Sequence, residues 1–219
     1  MDNLTHSLIG FAAAKAGLEK LSPYATPLCI IAANAPDADV ITTLAGPESY
    51  LHHHRGLSHS IIGTLVIALA LPIVMYAVAA AFARWRRRPN AASLRGLTLV
   101  SLITSFSHPL LDWTNNYGVR PLLPWSNRWY YGDLVFIIDP WLWLSLGGAC
   151  FLLTATNWRK TGVWLAGAIF LSFTLFWLPG RAGFSYPLLA RILWVAGITG
   201  LICGQFAKRC RSYAVEMSV

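Results

Sequence analysis

The feature that most constrains this chain is a set of apolar runs too long for a soluble core. Residues 60–82, 94–111, 134–155, 162–178 and 187–206 each offer about the 17–25 residues that cross the hydrocarbon of a bilayer. In lipid such runs must be helical, because an open sheet edge leaves backbone groups unpaired. Two shorter apolar segments, 4–18 and 24–35, precede them. The expected architecture is all-α: a polytopic transmembrane helix bundle of five long spans plus two short N-terminal helices that cross or re-enter. Charged residues are only 12% of the 219, about half the share of a soluble domain, so residues 1–219 read as one integral membrane domain. No positively charged stretch precedes the first apolar segment, so that segment is expected to stay in the mature protein.

The net charge of +8 does not form a nucleic-acid stripe. The basic residues fall in the gaps between runs, where they set membrane orientation. Arg84, Arg86, Arg87, Arg88 and Arg95 mark one gap as cytoplasmic. Alternation then places Arg159 and Lys160, the tail Lys208, Arg209 and Arg211, and the turn Lys15/Lys20 on the same side. Arg55, Arg120, Arg128, Arg181 and Arg191 fall opposite. The N-terminus, residues 34–59 and the aromatic-rich loop 112–133 are therefore expected at the outer face, with the C-terminus inside. The four cysteines (Cys29, Cys150, Cys203, Cys210) form no CxxC pair and read as packing residues.

All six histidines lie in the first half, and they fall with most of the acids on that outer face. Ionisable groups at membrane depth are costly and usually carry function. His108 and Asp112 stand four apart at the end of an apolar run, on one helix face. They either chelate an ion or form a capping pair. His54-Arg55-Gly56-Leu57-Ser58-His59 offers two further imidazoles; Gly56 permits a turn, and Ser58 is an N-cap candidate for the helix that His59 opens. His52 and His53 receive no role. Asp37 and Asp39 follow Pro36, where the preceding apolar helix is expected to stop. In an extended turn they present one carboxylate to an ion and the other to a neighbour. His6 lies near the same face. Together His6, Asp37, Asp39, His54, His59, His108 and Asp112 form a nitrogen and oxygen donor set suited to Zn²⁺, with Mn²⁺ or Fe²⁺ as alternatives, and numerous enough for one or two ions.

At these residues the sequence resembles the YdjM-like, LexA-regulated family of bacterial inner-membrane proteins, which are assigned as metal-dependent hydrolases by inference. The matching signatures are Thr5-His6, Pro36-Asp37-Ala38-Asp39, His54-Arg55-Gly56-x-Ser58-His59 and His108-x-x-x-Asp112, within residues 1–140. Residues 141–219 match only as structural apolar helices. The motif order also resembles, more distantly, zinc-dependent phospholipase C and P1-type nucleases. That likeness implies Asp37 or Asp39, His59, His108 and Asp112 around one ion, and His6 with Asp112 at part of a second. No histidine follows Asp112, so the third ion of those enzymes is not expected here.

The resemblance and the motifs together imply a membrane-embedded metal-dependent hydrolase, a phosphoesterase acting on a lipid or lipid-linked substrate at the outer face of the inner membrane. Asp37 or Asp39 would serve as general base. Arg55 would either clamp a phosphate, helped by Arg120 or Arg128, or face headgroups as a surface charge. The competing readings are a metal or ion transporter and a membrane scaffold with a structural metal site. A transporter needs polar groups along a path, and the last two runs offer almost none.

Overall fold

The computed structural model describes residues 1–176 and 186–216. The chain divides into two compact units, Met1–Pro140 and Trp141–Val219. No β-strand forms among the described residues; two isolated bridges, Asn115 with Val135 and Val119 with Tyr130, tie a loop together.

In the first unit, α1 (Asn3–Lys15) starts where the Asp2 carboxylate accepts from the amides of Leu4 and Thr5, at 3.0 Å each. The second segment, α2 (Ala25–Asn34), does not stop at Pro36. The chain continues as a 3₁₀ helix, Ala35–Ala45, with Pro36 in its first turn, where a missing amide costs nothing. Asp37 and Asp39 therefore sit on a helical segment rather than in an extended turn. Helix α3 (Pro47–His53) and a 3₁₀ turn, Leu57–His59, lead into α4 (Ile61–Trp85). The cap of α4 is Ser60, whose Oγ accepts from the Gly63 amide, and not Ser58; His59 lies just outside the helix rather than opening it. Helix α5 (Leu94–Thr114) is capped by Ser93.

Helices α1, α2 and α5 pack around Ala14, Ala25, Leu28, Cys29, Ala32, Leu97 and Val100. Most of these residues are small, as membrane helix interfaces require. A Cβ at Gly10 would lie 2.5 Å from the Cys29 carbonyl oxygen, so α1 and α2 touch through backbone.

In the second unit, α6 (Pro140–Thr154), α7 (Trp158–Phe176) and α8 (Leu188–Glu216) are joined by polar clasps. Trp164 donates to Thr154, Trp194 to Ser172, and the Gln205 amide to the Ala155 carbonyl at 2.7 Å. Cys29 and Cys150 are buried, and Cys203 is exposed.

Among the described residues three helical stretches are long and apolar enough to cross a membrane: Ala25–Ala45, Ile61–Trp85 and Leu188–Arg209. The expected span 94–111, and 162–178 as far as Phe176, are helical but stand outside this set; Leu178 and Arg181 lie outside the described residues. Ser101, Thr104, Ser105, His108 and Asp112 are all buried on α5. They form one polar stripe at helical spacing, and it lowers that helix's hydropathy. The run 134–155 is helical only from Pro140; at 1.5 Å per residue its 15 residues reach about 22 Å. Residues 134–139 spend their backbone elsewhere: the Leu134 and Val135 amides bond the Thr114 carbonyl, and the Ile137 carbonyl accepts from Asp2.

Candidate metal centre

The polar stripe of α5 delivers the site. His108 and Asp112 share its inner face, with His108 Nε2 3.4 Å from Asp112 Oδ2. Asp37 arrives from the 3₁₀ helix after α2, and His59 from the turn before α4. His59 Nε2 lies 3.0 Å from His108 Nε2, 3.2 Å from Asp37 Oδ1 and 3.4 Å from Asp112 Oδ2. His108 Nε2 is 3.4 Å from Asp37 Oδ1. Four donor atoms from three elements thus converge. His59, His108 and Asp112 have no side-chain exposure, while Asp37 keeps 13%.

The spacing matches the donor chemistry. A tetrahedral ion with bonds of ~2.0–2.1 Å has ligand atoms about 3.3–3.4 Å apart. Two imidazoles and two carboxylates are ligands that Zn²⁺ accepts. Asp112 Oδ2 makes no hydrogen bond among the described residues despite complete burial. A buried carboxylate oxygen without a hydrogen bond is expensive, and a cation at the centre of the four would satisfy it.

Neighbouring groups fix each ligand. His108 Nδ1 donates to the Ala33 carbonyl at 2.6 Å, which commits Nε2 to the centre. His59 Nδ1 faces Asp39 Oδ2 at 3.4 Å and Ser58 Oγ at 3.0 Å. Burial lowers His59 to about 4, so its imidazole is neutral and able to ligate near pH 7. Asp112 Oδ1 turns the other way, to Arg55 Nη2 at 3.2 Å, His6 Nε2 at 3.4 Å and the Met1 amino group.

Arg55 corrects one sequence expectation. It is 3% exposed and is no surface charge facing headgroups. Its Nη1 donates to Asn115 Oδ1 at 3.1 Å and to the Gly118 carbonyl at 2.9 Å, and its guanidinium stacks on Tyr117. Burial lowers its pKa, with Asp37 and Asp39 opposing that shift. Arg55 takes a left-handed φ of 52°, so the expected turn is made there. Gly56 follows because a side chain in its place would strike the His53 carbonyl. Arg120 bonds the carbonyls of Arg55 and His54 and stacks on Trp129, and Arg128 lies over Tyr130.

His54 and Asp39 stand beside the four rather than among them. His54 Nδ1 meets Asp39 Oδ1 at 3.2 Å, while the Arg55 amide and Ser58 Oγ bond Asp39 Oδ2. His6 is fully buried, stacks on His108 at 3.7 Å, and has both ring nitrogens without a hydrogen bond among the described residues. His53 is exposed and bonds the Ser49 carbonyl; the side chain of His52 lies outside the described set. A cavity of about 390 Å³ opens here, lined by Asp37, His54, Arg55, Tyr50 and Tyr117 and by the apolar Val40 and Ile137.

Sequence reasoning missed Asn115. It is fully buried, and its Oδ1 also accepts from the amides of Tyr117 and Gly118. The available signal was its place three residues past Asp112, at the end of α5.

The comparisons agree with this picture at the level of family. Over 155 residues the chain is 28% identical to YfhP of Bacillus subtilis (strain 168), an uncharacterised protein. The match covers 66% of this chain and 44% of that relative, so the chain spans less than half of its length. No solved structure matches. The profile of the YdjM inner membrane proteins matches residues 1–183, and the chain belongs to the YdjM inner membrane protein family.

Proposed function

We propose that this protein is a membrane-embedded metal-dependent hydrolase, a phosphoesterase acting on a lipid or lipid-linked substrate. One observation carries the reading: four ligand atoms of Asp37, His59, His108 and Asp112 gather at ion-binding spacing beside a cavity that Asp37 and Arg55 border. A divalent ion, Zn²⁺ on the donor chemistry, would supply acidified water and polarise a phosphoryl oxygen. The chain's own groups do the rest. Arg55, held by Asn115, Gly118 and Tyr117, places fixed positive charge at the cavity wall, where it favours an anionic group. Asp39, which is not one of the four ligands, puts a second carboxylate beside Asp37, where it would accept the proton of attacking water. Val40 and Ile137 give part of the cavity lining apolar character, which suits a lipid tail.

The distribution of basic residues supports a site on the outer face of the inner membrane and a cytoplasmic C-terminus. The likeness to zinc phospholipase C rests on motif order and the four converging ligands. A screen of phospholipids and lipid phosphates with metal-loaded protein tests the reading. Turnover that His108→Ala abolishes is expected; no turnover on any of them, from folded and metal-loaded protein, refutes it.

A further inference from the structure

We infer that Asp37, Asp39 and His54 hold a second, weaker divalent cation at the cavity, with Asp37 shared between the two ions. The inference rests on the metal centre proposed above and deepens it, with Asp39 a ligand once the second ion is bound and a proton acceptor only without it.

The starting point is a difficulty in the four-ligand cluster. A site with four protein ligands is coordinatively closed, whereas hydrolytic sites keep three protein ligands and an open position. His59, His108 and Asp112 are fully buried, so the centre itself gives a substrate little access. An open position must be found nearby.

Two directions are available. Behind the cluster, Asp112 Oδ1 faces His6, but that oxygen already carries the Arg55 guanidinium at 3.2 Å. A second cation there would sit against a fixed positive charge. In front, toward the cavity, the donors are arranged differently. Ligand atoms of Asp37, Asp39 and His54 all lie within 4.8 Å of one another. His54 Nδ1 and Asp39 Oδ1 are 3.2 Å apart, the same spacing as within the four-ligand cluster.

The second group is built rather than accidental. Asp39 Oδ2 is held by the Arg55 amide at 2.9 Å and by Ser58 Oγ at 3.3 Å, which leaves Oδ1 to His54. The His54 ring stacks on Tyr50 at 4.6 Å, and its carbonyl is held by Arg120. Asp37 and His54 both line the cavity. Side-chain exposures of 13% for Asp37, 8% for Asp39 and 21% for His54 give solvent and substrate an approach that the inner cluster lacks. Three protein ligands with open positions on a cavity describe a working site, and a shared carboxylate fits two ions ~3.5–4 Å apart. The substrate class follows: a group with two anionic oxygens, such as a phosphoryl group, can bridge such a pair.

The test is a Mn²⁺ titration of the full chain in detergent, read by electron paramagnetic resonance and by metal analysis, with no substrate involved. The first equivalent should bind tightly and give an isolated-ion spectrum. The second should bind more weakly and convert it to a spin-coupled spectrum, because Asp37 joins the ions. His54→Ala, with His54→Phe to keep the stacking on Tyr50, should retain the first equivalent. Both variants should lose the coupled signal, the second affinity falling by roughly 10–100-fold or more. Wild-type protein that saturates at one equivalent overturns the second site and leaves the first standing. So does a coupled signal that survives in both His54 variants. Folded wild-type protein that binds no Mn²⁺ overturns both sites.

Discussion

Asp112→Asn separates the two duties of the buried carboxylate. One oxygen of Asp112 pairs with Arg55 at 3.2 Å, and the other faces His59 and His108 at 3.4 Å, with no solvent exposure. Breaking a buried ion pair by removing one charge costs about 3–5 kcal/mol. Asparagine keeps an oxygen that can accept from Arg55, so the lower end, about 3 kcal/mol, applies in chelated protein. At ~2–4 °C per kcal/mol the midpoint should fall by roughly 6–12 °C. The ion then widens the gap. Wild-type protein should gain about 2.7 kcal/mol at a metal concentration near 100 times Kd. The variant, whose neutral amide is a poor ligand, should gain almost nothing. Tryptophan fluorescence during thermal unfolding in detergent, with chelator and with Zn²⁺, reads both steps. A variant that melts with wild type in chelator, and rises equally with Zn²⁺, would refute the shared role of this residue.

Other outcomes follow from the same geometry. Asn115→Asp should retain metal affinity, because only Oδ1 is used and Nδ2 makes no hydrogen bond among the described residues; Asn115→Ala, which frees Arg55, should weaken it by roughly 10–100-fold in a competition with a chromophoric chelator. Gly10→Ala should cost about 1–3 kcal/mol by overpacking α1 against Cys29, seen as a lower unfolding midpoint. Metal-free protein should lose stability in acid. His59 titrates at about 4 when folded against an ordinary 6.5, so the unfolded chain takes up the proton first. This contribution is therefore complete above pH 6.5 and drains away as pH falls toward 4. Denaturant titrations at pH 7 and pH 5 should show the decline, and His59→Gln should make it shallower, the remainder coming from other buried groups that folding lowers, His6 among them.

The parts of this molecule that were legible in the sequence are those with a local signature. His108 and Asp112 are four apart on a helix, so periodicity alone puts them together. The apolar run from residue 94 begins where α5 does. The parts that were not legible depend on distant partners. Ser58 looked like the cap of α4, but its hydroxyl is engaged by Asp39 and His59, and Ser60 caps the helix instead. Pro36 looked like a helix end, yet a proline in the first turn of a 3₁₀ helix lets the chain run on and carry Asp37 to the centre. Residues 134–139 are apolar enough to extend α6, but their backbone is claimed by Thr114 and Asp2. Arg55 invited a surface reading because nothing adjacent shows the buried partners Asn115, Gly118 and Asp112. Asp39 and His54 were grouped with the inner ligands because spacing along the chain does not reveal which carboxylate turns inward.

Metal analysis of the detergent-purified chain, beside His108→Ala, bears on the central claim most directly. At least one equivalent of a divalent transition metal, retained through gel filtration and lost in the variant, is the predicted result. Folded wild-type protein that holds no stoichiometric metal after loading with Zn²⁺, Mn²⁺ or Fe²⁺ would contradict the account.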